Sequence, residues 1–207
     1  QWKDEEIQIL SIGQAGENLV KYACVITDRE GCVGARTGMG AVMGSKNLKA
    51  VAVRGTRDIE ITDPQKLKDI IEDLNLNMFR NEPRRLEAAR FGTSIFTIMA
   101  QARGNLPTRN WQQGDFEYYD GISGEAVRDR VLVRAMGCFG CPSHCHRLSV
   151  IREGPYRGTY VLGPEHECLR SLGSLCGIKD LNSLIYANFL CNDLGLDTIS
   201  AGSAIQW

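Results

Sequence analysis

Apolar positions follow two different periods along the chain, and the change comes near residue 62. Before it, Ile7-Gln-Ile-Leu-Ser-Ile12, Tyr22-Ala-Cys-Val-Ile-Thr27 and Lys49-Ala-Val-Ala-Val-Arg54 are short, β-branched and near-alternating, the pattern of strands. Ile59-Glu-Ile61 reads as a short continuation of the third. Beyond Thr62 the repeat is about 3.6 residues. Asp63 is placed to cap a helix whose first position is Pro64, and Leu67, Ile70, Ile71, Leu74 and Met78 share one face. The pattern predicts further helices over 83–90 and 94–102, joined through Gly92, and over 124–133 and 169–175. A helix capped by Asp180 runs to residue 190, with Gly195 suited to a helix C-terminus, and another begins at Thr198. An irregular loop over 104–114 leads to Phe116, Tyr118 and Tyr119, read as packing aromatics. Gly154-Pro155 marks a turn, and Tyr160-Val-Leu162 a short extended run. The expected fold class is α+β, a β-rich part over 1–62 followed by a mainly helical domain over 63–207.

Composition narrows the function classes. The 207 residues are 43% hydrophobic and 24% charged with a net charge of -1, the balance of a globular protein with no electrostatic case for nucleic acid or a membrane surface. No apolar stretch approaches the length of a membrane span, and Gln1-Trp-Lys-Asp-Glu-Glu6 is not an export signal. Eight cysteines then read as reduced thiols or metal ligands in the cytoplasm rather than as disulfides. Both ends read as cuts: residue 1 is not methionine, and the last residues look like an interrupted helix.

The densest chemistry is Met136-Gly-Cys-Phe-Gly-Cys-Pro-Ser-His-Cys-His-Arg147. Cys138, Cys141 and Cys145 stand in C-x-x-C-x-x-x-C spacing, which lets one turn of backbone point three sulfurs at a common centre, and Gly137 and Gly140 let the backbone pass close to it. An iron–sulfur cubane needs a fourth ligand, from Cys168, Cys176 or Cys191 or from beyond Trp207. A zinc knuckle using His144 or His146, and ordinary buried thiols, are the alternatives.

Two glycine-rich stretches and one acidic one complete the set. Gly13-Gln-Ala-Gly16 after the first strand can cradle a phosphate on backbone amides, although a tight structural turn is the favoured reading. Gly31 to Lys46 holds five glycines in fourteen positions up to Gly44, with Arg36 and Lys46 supplying positive charge. It suggests an anion-binding surface, or close strand–helix packing, and is not a Walker motif because Gly-Ser-Lys reverses the required order. In Gly163-Pro-Glu-His-Glu-Cys168 two carboxylates flank an imidazole at a helix start, as dipole partners or as a proton-transfer pair.

Taken together, these residues resemble the aldehyde:ferredoxin oxidoreductase family of tungsten or molybdenum bis-pyranopterin enzymes over essentially the whole chain. The resemblance rests on Ser11-Ile-Gly-x-Ala-Gly-Glu-Asn-Leu-Val-Lys21, Gly40-Ala-Val-Met-Gly-Ser-Lys-Asn-Leu-Lys-Ala50, the cysteine motif, Gly163-Pro-Glu-x-Glu167 and Leu194-Gly-Leu-Asp-Thr-Ile-Ser200. It implies an internal piece of a longer enzyme: the C-terminal part of a β-rich pterin-binding domain over 1–62 and part of a helical domain over 63–207. It implies a [4Fe–4S] cluster on Cys138, Cys141 and Cys145 with the fourth cysteine outside the chain, so that Cys168, Cys176 and Cys191 are structural. Cys32, Val33, Ala35 and Arg36 match a pterin-contacting loop in which many members have arginine near Cys32. Asn192, Gly195, Leu196 and Asp197 match the D-x-x-G-L-D pterin motif, with Asn192 replacing its first aspartate and losing one charged acceptor. Glu167 matches a proton-handling glutamate near the metal. A family E-x-x-H metal motif between subunits is replaced here by Tyr186-Ala-Asn-Phe189, so no interfacial metal is expected and both rings should pack in apolar surroundings. The implied activity is oxidation of a small aldehyde, with electrons leaving through the cluster to ferredoxin or another carrier. Reduction of an aromatic acyl-thioester by the same scaffold and a non-catalytic zinc-stabilised module are the alternatives.

Overall fold

The computed structural model describes residues 6–27, 36–138 and 140–207 and has an α+β fold. Strand β1 (Gln8–Ile12) is the centre of an antiparallel sheet in the order β2-β1-β3, flanked by β2 (Val25–Thr27) and β3 (Ala50–Val53). Leu10 stands opposite both Thr27 and Val51. After β1 the chain makes one helical turn, α1 (Gln14–Glu17), and Gly38, left-handed at φ +70°, starts α2 (Met39–Ser45). The glycine-rich segment is therefore partly a helix rather than a loop. Gly40 presses on β2's approach, where a Cβ would stand 2.5 Å from the Cys24 carbonyl oxygen, so close packing governs the chain at this glycine. The apolar core here is small: Ile12, Val25 and Met43, with Leu10 against them. Ile59 and Ile61 form no strand, because β1 already meets Val53 at Gln8 and its described part has no residue left to pair with them.

The helical part begins as its caps predict. Asp63 Oδ1 accepts from the Lys66 amide at 2.9 Å and starts α3 (Pro64–Leu74), which widens into a π-helical turn over Asn75–Arg80. Its predicted apolar face is not covered: Leu67, Ile70, Ile71 and Leu74 are all exposed. Glu82 caps α4 (Pro83–Phe91), Gly92 at φ +62° turns the chain, and α5 (Ile95–Ala102) follows. Two short helices, α6 (Tyr119–Ile122) and α7 (Gly124–Ala126), lead through a wide turn to Val131.

There the structure departs from the predicted helix over 124–133. Leu132 goes extended and opens β4 (Leu132–Met136), which pairs with β5 (His146–Val150), itself paired with β6 (Tyr160–Leu162). The reason is partnership at long range: Leu132-Val-Arg-Ala-Met136 finds an antiparallel neighbour on the far side of the cysteine loop. The last elements are α8 (His166–Cys168), which runs on as irregular turns to Cys176, α9 (Leu181–Leu194) and α10 (Thr198–Gln206). Asp180 Oδ2 accepts from the Ser183 amide at 2.8 Å, and Gly195 at φ +74° ends α9, both as expected. The main core gathers Phe116, Ile122, Val127, Leu169, Leu184 and Ile185. Among the described residues no helix is long and apolar enough to cross a membrane.

The two cores are clasped at the turn between α9 and α10. The Cys24 amide donates to the Gly195 carbonyl at 2.8 Å, the Asp197 amide donates to the Tyr22 carbonyl at 3.1 Å, and Ala23 bridges Leu196. Gly13 and Gly195 meet so closely that a Cβ on Gly195 would lie 2.8 Å from the Gly13 nitrogen.

Leu184, fully buried, and Ile59, 86% exposed, give a direct contrast. Leu184→Ala should cost about 2–5 kcal/mol in chemical denaturation; Ile59→Ala should stay within about 0.5 kcal/mol.

Candidate metal and cofactor site

Strands β4 and β5 bring Met136 opposite His146, so the cysteine segment is the loop that joins two paired strands. Gly137 is required where it stands: a Cβ there would lie 2.6 Å from the Cys141 carbonyl oxygen. The Cys141 amide donates to the Cys138 carbonyl at 3.0 Å, and Gly140 takes φ +67°. Cys138, Cys141 and Cys145 are free thiols. Cys138 and Cys141 line a hollow of about 460 Å³ together with Ile71, Leu74, Phe79 and His144. Burial pushes the Cys145 thiol above its ordinary pKa, with Glu165 and the other two thiols adding to the effect. Among the described residues no three His, Cys, Asp or Glu side chains converge on a point where a single ion would sit.

The loop is tied down from beneath by Arg147, which is 2% exposed. Its guanidinium donates to the carbonyls of Ala89 at 3.1 Å, Arg90 at 3.2 Å, Cys145 at 3.4 Å and His144. The C-terminal carbonyls of α4 carry the negative end of the helix dipole, and the cation joins them to the cysteine loop. Burial lowers its pKa. Gly92 leaves the room, since a Cβ there would approach Arg147 Nε to 2.7 Å.

Glu165, His166 and Glu167 do not act as one cluster. Glu165 turns to the loop: its Oε1 lies 3.1 Å from His146 Nδ1, Thr93 Oγ1 donates to its Oε2, and His146 Nε2 is 3.3 Å from Cys138 Sγ. The bond to Glu165 lifts the His146 pKa to about 9 against the opposing effect of burial. His166 turns instead to the buried Thr97 hydroxyl at 2.7 Å, and burial lowers its pKa. Glu167, nearly half exposed, pairs with Arg170, whose Nε and Nη2 both reach Oε2, at 3.0 and 2.5 Å.

The residues of the pterin-like motif gather at the clasp. Asp197, 2% exposed, caps α10 by accepting from the amides of Ile199 at 3.2 Å and Ser200 at 3.0 Å, and Arg36 Nε comes within 3.6 Å of it. Gly195 and Leu196 form the turn before it. Asn192 lines a hollow of about 450 Å³ with Gly13, Gln14, Lys49 and Phe189. Cys32, Val33 and Ala35 lie outside the described residues. Glu167 is brought near this group through α8, since Ser171 Oγ bonds both the Glu167 carbonyl at 2.6 Å and the Thr198 carbonyl at 3.2 Å. Cys168 and Cys176 are taken up in packing between α8 and α10: Cys168 sits 3.5 Å from Thr198 Oγ1 with its pKa pushed to about 12 by burial, and Cys176 donates to the Ser171 carbonyl. Cys191 is buried.

At the place of the E-x-x-H motif, Tyr186 stacks on Tyr156 at 4.2 Å and Phe189 follows at 6.1 Å, all against the main core. The expected aromatic packing is present. Sequence reasoning missed Arg147, Thr93 and Arg170. Only Arg170 carried a local signal, lying three residues after Glu167 on a predicted helix.

Comparison with known proteins follows this geometry. A family model described as aldehyde ferredoxin oxidoreductase, N-terminal domain, matches residues 1–55, and one described as aldehyde ferredoxin oxidoreductase, domains 2 & 3, matches residues 69–207. The tungsten-containing aldehyde ferredoxin oxidoreductase of Pyrococcus furiosus is 42% identical over 202 residues, and that of Thermococcus kodakarensis 41% over 201; each comparison covers 97% of this chain and 32% of the relative. The WOR-like subunit of the aliphatic sulfonate oxidoreductase of Pyrococcus furiosus is 32% identical over 206 residues, with 97% and 32% covered. The chain thus spans about a third of the length of these curated relatives. Among solved structures, the active site complex BamBC of benzoyl coenzyme A reductase with 1,5-dienoyl-CoA has the same fold, with a TM-score of 0.62 at 24% identity over 98% of this chain and 31% of that one.

Two outcomes follow from the site. Arg147→Leu should cost about 2–4 kcal/mol, because it strands carbonyls that the guanidinium satisfies; thermal unfolding, with hydrogen exchange across 138–147, reads both the loss and its place. His166 is held below its ordinary 6.5, so its contribution to stability is present above pH 6.5 and is lost as pH falls through the lower folded value. Acid denaturation curves should show that part of the loss missing in His166→Gln.

Proposed function

The chain belongs to the aldehyde ferredoxin oxidoreductase family, and we propose that it forms part of an enzyme that oxidises a small aldehyde to a carboxylic acid at a pterin-bound metal. A [4Fe–4S] cluster held by the cysteine loop would supply the electron exit to ferredoxin or another carrier. Tungsten is favoured over molybdenum by the relatives' names. The observation that carries the reading is one of placement. The cysteine loop is bonded through Glu165 to the start of α8, α8 carries Glu167, and α8 packs on α10, whose cap Asp197 meets Arg36. The described residues proposed as cluster ligands, proton carrier and pterin contacts thus belong to one connected region, which supports the reading.

The donor set suits the groups proposed. The three thiols are free and stand on one loop, Cys138 and Cys141 lining its hollow, a donor set that fits a cubane, whose ligands bond separate iron atoms. The metal and pterin supply the two-electron chemistry, and the cluster the one-electron exit. Cys138, Cys141 and Cys145 would hold the cluster, with the fourth thiolate from the remainder of the enzyme. Arg36, Asn192, Gly195, Leu196 and Asp197, with Cys32, Val33 and Ala35, would line the pterin. Asp197 would do so as a helix cap, its carboxylate held by two amides and the Ser200 hydroxyl with Arg36 beside it. Arg170 occupies Oε2 of Glu167 and fixes the carboxylate, so the proton leaving the substrate is taken at Oε1. A division near residue 62 separates the pterin-binding part from the helical part. Identity of 40% and more to aldehyde oxidoreductases favours aldehyde oxidation over acyl-thioester reduction.

Anaerobically purified full-length enzyme should contain iron with tungsten or molybdenum and reduce a viologen dye with an aldehyde; zinc alone, or no metal, overturns the reading. Glu167→Gln should lower kcat by about 10²–10⁴-fold while iron and tungsten contents stay unchanged.

A further inference from the structure

We infer that His146 is a positioning residue for the cluster loop: its Nε2 donates a hydrogen bond to the Cys138 sulfur, Glu165 and Thr93 hold the ring in place, and that bond sets the reduction potential of the cluster. This rests on the proposed role of Cys138 as a cluster ligand. The geometry is a chain of contacts. His146 Nε2 lies 3.3 Å from Cys138 Sγ, and Nδ1 lies 3.1 Å from Glu165 Oε1. The other oxygen of Glu165 accepts from Thr93, whose own oxygen accepts from the His166 amide at 2.9 Å. A carboxylate anchored at both oxygens leaves the imidazole one orientation, with its far nitrogen on the sulfur.

The fold makes this placement by register. His146 is the first residue of β5 and sits opposite Met136, the last of β4, so the ring projects at the neck of the loop and not at its tip. The next residue, Arg147, is itself anchored on the buried side by its bonds to the Ala89 carbonyl. A thiolate bonded to iron has no proton to give, so the 3.3 Å contact is a hydrogen bond only when nitrogen is the donor. Reduction of a cluster adds negative charge that its ligand sulfurs share, and an N–H directed at one of them stabilises the reduced form more than the oxidised one. Loss of the donor therefore lowers the potential.

The test uses full-length holoenzyme and follows the electron paramagnetic resonance signal of the reduced cluster through a redox titration. His146→Phe should shift the oxidised-to-reduced ratio at fixed ambient potential about tenfold toward the oxidised form, about 59 mV for one electron. His146→Gln, whose amide nitrogen can take the place of Nε2, should recover most of that shift. An unmoved midpoint in His146→Phe, or equal shifts in both variants, overturns the inference, the second because a purely structural role would not tell the two apart. A second reading needs no variant. In wild-type enzyme labelled with ¹⁵N-histidine, the reduced cluster should show a histidine-nitrogen coupling, and no coupling overturns the inference. A wild-type enzyme with no cluster signal at all overturns the proposed function and this inference together, which separates the two failures.

Discussion

Everything in the β-rich part depends on the contact of two glycines. A three-stranded sheet with Ile12, Val25, Met43 and Leu10 as its apolar core is too small to stand alone. Its support comes from the turn after α9, where Gly13 and Gly195 approach to a separation that no side chain permits and backbone groups of Tyr22 and Cys24 pair with those of Gly195 and Asp197. The same turn carries Asp197 toward Arg36. Support of the small sheet and assembly of the pterin-like motif are therefore one event, and neither core can shift without disturbing the other.

The cysteine loop has a comparable foundation on its other side. A loop carrying three free thiols has little apolar surface of its own to pack, and Arg147 replaces packing with hydrogen bonds from one buried cation to carbonyls of α4 and of the loop itself. The arrangement suits a metal-binding segment, since it fixes backbone while leaving sulfurs free. Glu165 and Thr93 extend it to the start of α8, so the two ends of the site share a frame.

What could be read from the sequence was local. Asp63, Asp180 and Gly195 announced their helix ends because capping involves only the nearest turn. The motifs announced the family. What could not be read depended on partners distant in the chain. β4 and β5 are strands only because they meet across the cysteine loop, and 124–133 looked helical without that knowledge. Glu165 and Glu167 looked like a pair because they are two residues apart, yet Glu165 is the extended residue before α8 and Glu167 lies within its turn, and the change of backbone between them sends one to His146 and the other to Arg170. The uncovered face of α3 is the reverse case: its period was clear, but period alone does not say what lies opposite.

That face bears on how the polypeptide behaves in the hand. Leu67, Ile70, Ile71 and Leu74 make a continuous greasy stripe beside the hollow that Cys138 and Cys141 line. Contiguous apolar surface of this kind drives self-association. In a preparation that has lost its cluster, molecules that aggregate through it would bring bare thiols of neighbouring copies together, so clumping and oxidative cross-linking would arrive as one problem, and a reductant alone would cure only half of it.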